Sequence, residues 1–165
     1  MKKITFAILG MGNRGHAYAS KQRKYPEEMQ VVAIADTRRE RLDSANKYLN
    51  IPQERIFDSA DAILAQPKLS DVMIIATQDC QHLEHAMKAM ELGYDLVLEK
   101  PISNKLEDIV VIAEAAKRLA QEKAEEAGET EEKAKKPAAK KPAARKPAAK
   151  KAAAPKAEAA EAKAE

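Results

Sequence analysis

Hydrophobic and polar positions along this chain follow two periods in alternation. Residues 4–9, Ile-Thr-Phe-Ala-Ile-Leu, are apolar apart from Thr5, as in a parallel strand buried on both faces. Comparable short runs stand at 31–35, 55–57, 72–76 and 94–98. Between them the apolar positions take helical spacing over 13–24, 37–49, 60–65 and 80–92. A last helix starts near 105, with Leu106, Ile109, Val110, Ile112, Ala113, Ala116 and Leu119 expected on one apolar face. The punctuation agrees: Pro26 closes the first helix, Asn50-Ile51-Pro52 ends the second, Asp58 or Ser59 caps the third, and Gly93 stops the fourth as a left-handed cap. Strands alternating with helices at these intervals predict an α/β fold, a doubly wound and mostly parallel sheet of about five strands.

In such a sheet chemistry collects beyond the C-terminal ends of the strands. Here those ends carry Gly10-Met11-Gly12-Asn13-Arg14-Gly15, Asp36, Thr77-Gln78 and Glu99-Lys100-Pro101. Strand, glycine loop, helix, second strand and an acid twenty-one residues past the last glycine form the layout of a Rossmann dinucleotide-binding unit. Gly10 is expected to turn the chain, Gly12 to let a pyrophosphate approach the backbone, and Gly15 to let the helix pack closely. Phosphates would then rest on free N–H groups at the start of the helix. Asp36 would accept a bond from the adenosine ribose and favours NAD, while Arg38 and Arg39, able to stack on adenine or meet a 2′-phosphate, leave NADP open.

Composition divides the chain. Of 29 basic and 26 acidic residues, the first 120 positions hold 17 of each, so the net charge of +3 belongs wholly to the remainder. All six aromatic residues (Phe6, Tyr18, Tyr25, Tyr48, Phe57, Tyr94) lie in the first part, which alone can build a core. This predicts a folded domain at 1–120, its last helix reaching to about 127, and a disordered low-complexity tail at 128–165. The single cysteine, Cys80, excludes an internal disulfide and a multi-cysteine metal site. His82 and His85 stand at i, i+3 with no third ligand near, so capping or packing accounts for them better than a metal does. Met73, Met87 and Met90 read as core filler. No apolar stretch approaches the roughly 18 residues that span a bilayer, and glycines interrupt the N-terminal run, so a cytoplasmic protein without membrane contact is expected.

Several of these features occur together: the glycine loop; Ala35-Asp36 with Glu40-Arg41-Leu42 downstream; Ile75-Ala76-Thr77 followed by His82, Ala86, Ala89 and Leu92-Gly93; and Glu99-Lys100-Pro101. With them, residues 2–118 resemble the N-terminal domain of the glucose-fructose oxidoreductase and inositol dehydrogenase (Gfo/Idh/MocA) family. The resemblance implies hydride transfer between a nicotinamide cofactor and sugars, polyols or related alcohols. It implies that Lys100 assists proton transfer at the reacting hydroxyl, that the Lys100-Pro101 peptide is cis, that Glu99 touches the cofactor ribose, and that Thr77 and Gln78 lie along the cofactor. Family members usually carry proline where Gln78 stands. The full cofactor-binding set is then Gly10, Gly12, Asn13, Arg14, Gly15, Asp36, Arg38, Thr77, Gln78, His82, Glu99, Lys100 and Pro101, with Lys100 the catalytic candidate and an ordinary surface lysine the alternative.

After the last helix the family pattern continues with a sixth strand and a substrate domain. Neither is expected here, so binding without independent catalysis is the expectation, and a sheet edge left open invites self-association. From Lys135 the chain repeats Lys-Lys-Pro-Ala-Ala with period five, with prolines at 137, 142 and 147. Residues 133–156 carry ten basic side chains and no acid. A second class therefore stands beside the first: weak polyanion or nucleic-acid binding through this tail, blind to sequence and weakened by salt, with the folded domain as anchor.

Overall fold

A computed structural model describes residues 2–135. Five strands form one sheet: β1 (Ile4–Leu9), β2 (Met29–Ala35), β3 (Ile56–Phe57), β4 (Val72–Ile75) and β5 (Asp95–Leu98). Their order is β3-β2-β1-β4-β5, every pairing is parallel, and the direction of winding changes between β1 and β4. The helices are α1 (Asn13–Ala19), α2 (Lys21–Lys24), α3 (Arg39–Leu49), α4 (Ala60–Leu64), α5 (His82–Glu91) and α6 (Leu106–Lys135), with single 3-10 turns at Gln53–Arg55 and Asp79–Gln81. The expected doubly wound α/β class is therefore the one observed.

Period-two side-chain alternation builds a core on each face of the sheet. Ala7 and Leu9 pack with Ala33, Met73 and Ile75 against Ile63 of α4, Ala86 and Ala89 of α5 and Ile112 of α6. Ile8, Val31, Ile34 and Ile74 face the other way, onto Ala19 of α1 and Leu42 and Ala45 of α3. Met73 and Met90 are buried as expected, and so is Met11, inside the glycine loop.

The register levels the C-terminal ends. Leu9 is paired with Ala35 on one side and Ile75 on the other, and Ile75 with Leu98. Bonds from the Gly10 N–H to the Ala35 carbonyl (2.8 Å), from Ala76 to Leu9 (2.8 Å) and from Glu99 to Ile75 (2.9 Å) extend that row by one residue. Gly10, Ala76 and Glu99 thus leave the sheet side by side.

The differences from the sequence reading are local and have physical causes. The first helix breaks at Ser20, whose hydroxyl donates back to the Ala17 carbonyl (2.9 Å). The second begins at Arg39 rather than Thr37, because Asp36 accepts the Arg38 N–H (2.8 Å) and holds Arg38 extended. The fourth starts as a 3-10 turn before α5. Ser59, not Asp58, caps α4, accepting the Ala62 N–H at 3.1 Å. Gly93 stops α5 at φ +79°, as expected of a left-handed cap.

The expected single apolar face of α6 resolves into two. Ile112 and Ala115 are buried against the sheet side, whereas Leu106 is 73% and Val110 46% exposed. α6 also runs beyond the expected end near 127, through Gly128 to Lys135. The Ala, Glu and Lys around Gly128 are strong helix formers that offset its cost of roughly 1 kcal/mol. The proline repeat, the expected disorder beyond 135 and most of the basic block lie outside the described residues. Among the described residues no helix is long and apolar enough to cross a membrane.

Candidate functional site

The glycine loop separates into positions the fold requires and one it does not. Gly10 has φ +86°, and a Cβ there would stand 2.5 Å from the Ala76 carbonyl oxygen. A Cβ on Gly15 would stand 2.0 Å from the Gly10 carbonyl oxygen. Gly15 therefore packs its helix against the loop itself. At Gly12 a Cβ would meet only the Arg41 guanidinium, at an ordinary 3.7 Å. The chain's own packing leaves the space over Gly12 open, which is what a close-approaching phosphate requires. Gly12 is also the N-cap of α1 and has no side chain to cap it, so the first N–H groups of that helix, Asn13 among them, receive no capping bond. These donors and this open surface fit a pyrophosphate.

Asp36 sits beside the loop, 7% exposed. Its Oδ2 accepts the Met11 N–H at 2.7 Å and lies 3.3 Å from Arg41 Nη1, while Oδ1 accepts the Arg38 N–H. Four lone-pair directions less three donors leave one, on Oδ1, for a ribose hydroxyl. The guanidiniums of Arg38 and Arg39 turn elsewhere, onto Glu40 (2.8 Å) and Asp43 (3.0 Å). Arg41 is the arginine that faces the acid.

On the far side of β4, the end of β5 is tied to α1. Glu99 Oε1 accepts from Arg14 Nε and lies against Nη2, both at 2.7 Å, and Oε2 accepts the Tyr18 hydroxyl. Glu99 is held below the usual carboxylate range, by the Tyr18 bond first and the Arg14 guanidinium after it. Arg14 and Tyr18 are both raised, chiefly by their bonds to Glu99.

The Lys100-Pro101 peptide is cis, and Lys100 is exposed with no ion pair among the described residues. His82 lies beneath this turn rather than facing out from it, 1% exposed. Its Nδ1 lies 3.0 Å from the Pro101 carbonyl and 3.1 Å from that of Ile102, with Nε2 3.3 Å from the Thr77 carbonyl. Carbonyls only accept, so the ring nitrogen that carries the proton is the donor, and the ring spans the turn after β5 and the loop after β4. The buried ring is a strut between two strand ends, joined to the site through the backbone carbonyls it meets. His85, one turn on, has Nδ1 3.0 Å from the Thr77 hydroxyl, and burial pushes its pKa down. Both histidines hold the loop after β4, in line with the packing reading. Gln78 is exposed with φ −75° and ψ 145°, a conformation proline also takes, so the departure from the family's proline leaves the backbone course intact.

Sequence reasoning gave no site role to Met11, Tyr18 or Arg41, and read His85 as capping or packing. The available signals were spacings: Tyr18 is i+4 from Arg14, His85 is i+3 from His82, and Arg41 stands in the first turn of the helix after Asp36.

The family described as "Oxidoreductase family, NAD-binding Rossmann fold" (GFO_IDH_MocA) matches residues 4–128. The chain belongs to this family. Two relatives come from Bacillus subtilis. One is a scyllo-inositol 2-dehydrogenase (NAD(+)), 26% identical over 126 residues, which cover 76% of this chain and 34% of that protein. The other is the scyllo-inositol 2-dehydrogenase (NADP(+)) IolW, 27% identical over 120 residues, 73% of this chain and 31% of that protein. Among solved structures, the WlbA dehydrogenase from Bordetella pertussis in complex with NADH and UDP-GlcNAcA superposes with a TM-score of 0.65 at 26% identity, covering 73% of this chain and 35% of that one. The chain thus spans about a third of the length of the relatives it matches.

Proposed function

We propose that this chain binds NAD or NADP along the C-terminal edge of its sheet, for hydride transfer to or from a hydroxyl-bearing sugar or polyol. The observation that carries this is Gly12, a glycine the fold does not need, open to the outside and adjoined by a buried acid with one acceptor direction left. The uncapped N–H groups of the first turn of α1, Asn13 among them, would hold the pyrophosphate over Gly12, with Gly10 and Gly15 shaping the loop, and Asp36 would hold the adenosine ribose. Thr77 and Gln78 would line the edge between the two halves. When bound, the dinucleotide supplies the hydride donor or acceptor. Lys100, exposed and unpaired among the described residues, would hold or return the proton at the alcohol oxygen. Pro101 fixes the turn from which it projects. The substrate class is read from the family and from the names of the two inositol dehydrogenases.

Titration of the full chain with NADH, followed by nicotinamide fluorescence, tests the reading. Saturable binding that a Gly12→Val variant abolishes is the expected result. No binding of NADH or NADPH at millimolar concentration would refute it.

A further inference from the structure

We propose that Tyr18 is a positioning residue of the dinucleotide site: its hydroxyl, acting with Arg14, fixes the Glu99 carboxylate at the end of β5, and the nicotinamide half of the cofactor is the half that depends on it. The inference rests on the dinucleotide reading above.

Topology assigns the half. Sheet order places Asp36, after β2, on one flank of the glycine loop and Glu99, after β5, on the other, with β4 between the loop and Glu99. A dinucleotide whose pyrophosphate lies on the loop and whose adenosine ribose lies on Asp36 directs its second ribosyl half across β4 toward β5. Glu99 is the buried acid it meets there, 8% exposed.

Bond counting gives Tyr18 its part. Both Arg14 nitrogens fall on Oε1, so they leave Oε2 to rotate about the guanidinium. The Tyr18 hydroxyl takes Oε2 and removes that freedom, leaving one lone-pair direction unfilled. The Arg14 side chain is 60% exposed and its attraction is screened by solvent, whereas Tyr18 is half-buried. Arg14 and Tyr18 are i, i+4 on α1, the helix that the glycine loop begins, so the cluster also fastens the Lys100 turn to the phosphate-binding end of the domain. With Tyr18 held above the ordinary phenol range and Glu99 below the carboxylate range, donor and acceptor keep their roles through neutral pH.

The test compares NADH, which carries both halves, with ADP, which carries only the adenosine half, on the full chain. Tyr18→Phe should raise the Kd for NADH by about tenfold, the loss of one hydrogen bond to a charged group, and leave ADP within about twofold. Arg14→Gln, which also borders the phosphate loop, should weaken NADH by more than it weakens ADP, and serves where the Tyr18 variant fails to fold; an equal effect on both ligands would count against the inference. In a Glu99→Gln background, Tyr18→Phe should add less than about twofold. Asp36→Ala, as control, should weaken both ligands. Equal weakening of NADH and ADP by Tyr18→Phe, or an NADH Kd unchanged by it, would overturn the inference while leaving the dinucleotide reading intact. An unmodified chain that binds neither NADH nor NADPH would overturn both.

Discussion

Alanine at Gly12 and at Gly15 should separate a glycine kept for a ligand from one kept for the fold. At Gly15 the new Cβ would stand 2.0 Å from the Gly10 carbonyl oxygen and 3.0 Å from its carbon, both backbone atoms. An unstrained C···O contact needs about 3.3 Å, so the loop or α1 must move by more than an ångström. The loop cannot drift freely, since the Gly10 N–H is bonded to Ala35 at 2.8 Å. Overpacking of this kind costs about 3 kcal/mol or more, and the better helix propensity of alanine returns about 1 kcal/mol. The net loss of about 2 kcal/mol corresponds to a fall in Tm of roughly 6–10 °C for a domain of this size.

At Gly12 the same substitution meets only the tip of Arg41, and φ of −74° suits any residue. Reduced freedom of the unfolded chain stabilises by about 0.4–1 kcal/mol, against a poorer N-cap of similar size. Stability should therefore stay within about 1 kcal/mol of the parent, while NADH affinity falls by about tenfold or more as a methyl fills the phosphate surface. Thermal unfolding paired with NADH fluorescence measures both quantities on each variant. If Gly12→Ala were as destabilising as Gly15→Ala, or bound NADH like the parent, the distinction between the two glycines would be wrong.

Two further perturbations probe the histidines. His82→Ala removes the ring bonded to the backbone carbonyls of Thr77, Pro101 and Ile102 and empties a buried site, so urea unfolding should show a loss of about 2–4 kcal/mol. His82→Phe restores volume without the donor; full recovery of stability would show that packing alone matters. His85 is kept below its ordinary value by burial, so the unfolded chain binds its proton near pH 6.5 and the folded ring only at lower pH. Stability from this residue is complete above that point and falls as pH drops through the folded value. His85→Gln should flatten the dependence of unfolding free energy on pH in that window, and an unchanged slope would count against the assignment.

The sheet was legible because parallel strands buried on both faces leave dense apolar runs, and all five runs appear as strands. The strand ends were legible for the same reason. What was not legible is which polar group answers which. Asp36 reads as a ribose acceptor, yet the register that brings Met11 against it, and the first turn of α3 that brings Arg41, depend on packing between elements. The face of α6 was misjudged because its apolar residues run around much of the helix, and periodicity alone does not say which arc meets α5. His82 has the appearance of a site residue in sequence; only its depth shows that it grips carbonyls.

The two buried acids illustrate why a motif identifies a site more readily than it assigns its contacts. Asp36 and Glu99 both end strands, both are nearly inaccessible, and both retain one unfilled acceptor direction. Two of the three bonds that hold Asp36 come from backbone N–H groups, which any sequence of this fold supplies. Glu99 is held chiefly by side chains, Arg14 and Tyr18, which this sequence in particular supplies. Substitution near Asp36 therefore changes its charge surroundings while its orientation persists. Substitution at Arg14 or Tyr18 releases the Glu99 carboxylate itself. The β5 end of the site should accordingly be the half whose geometry is sensitive to changes in α1, even though α1 and β5 are 81 residues apart at the Tyr18–Glu99 bond.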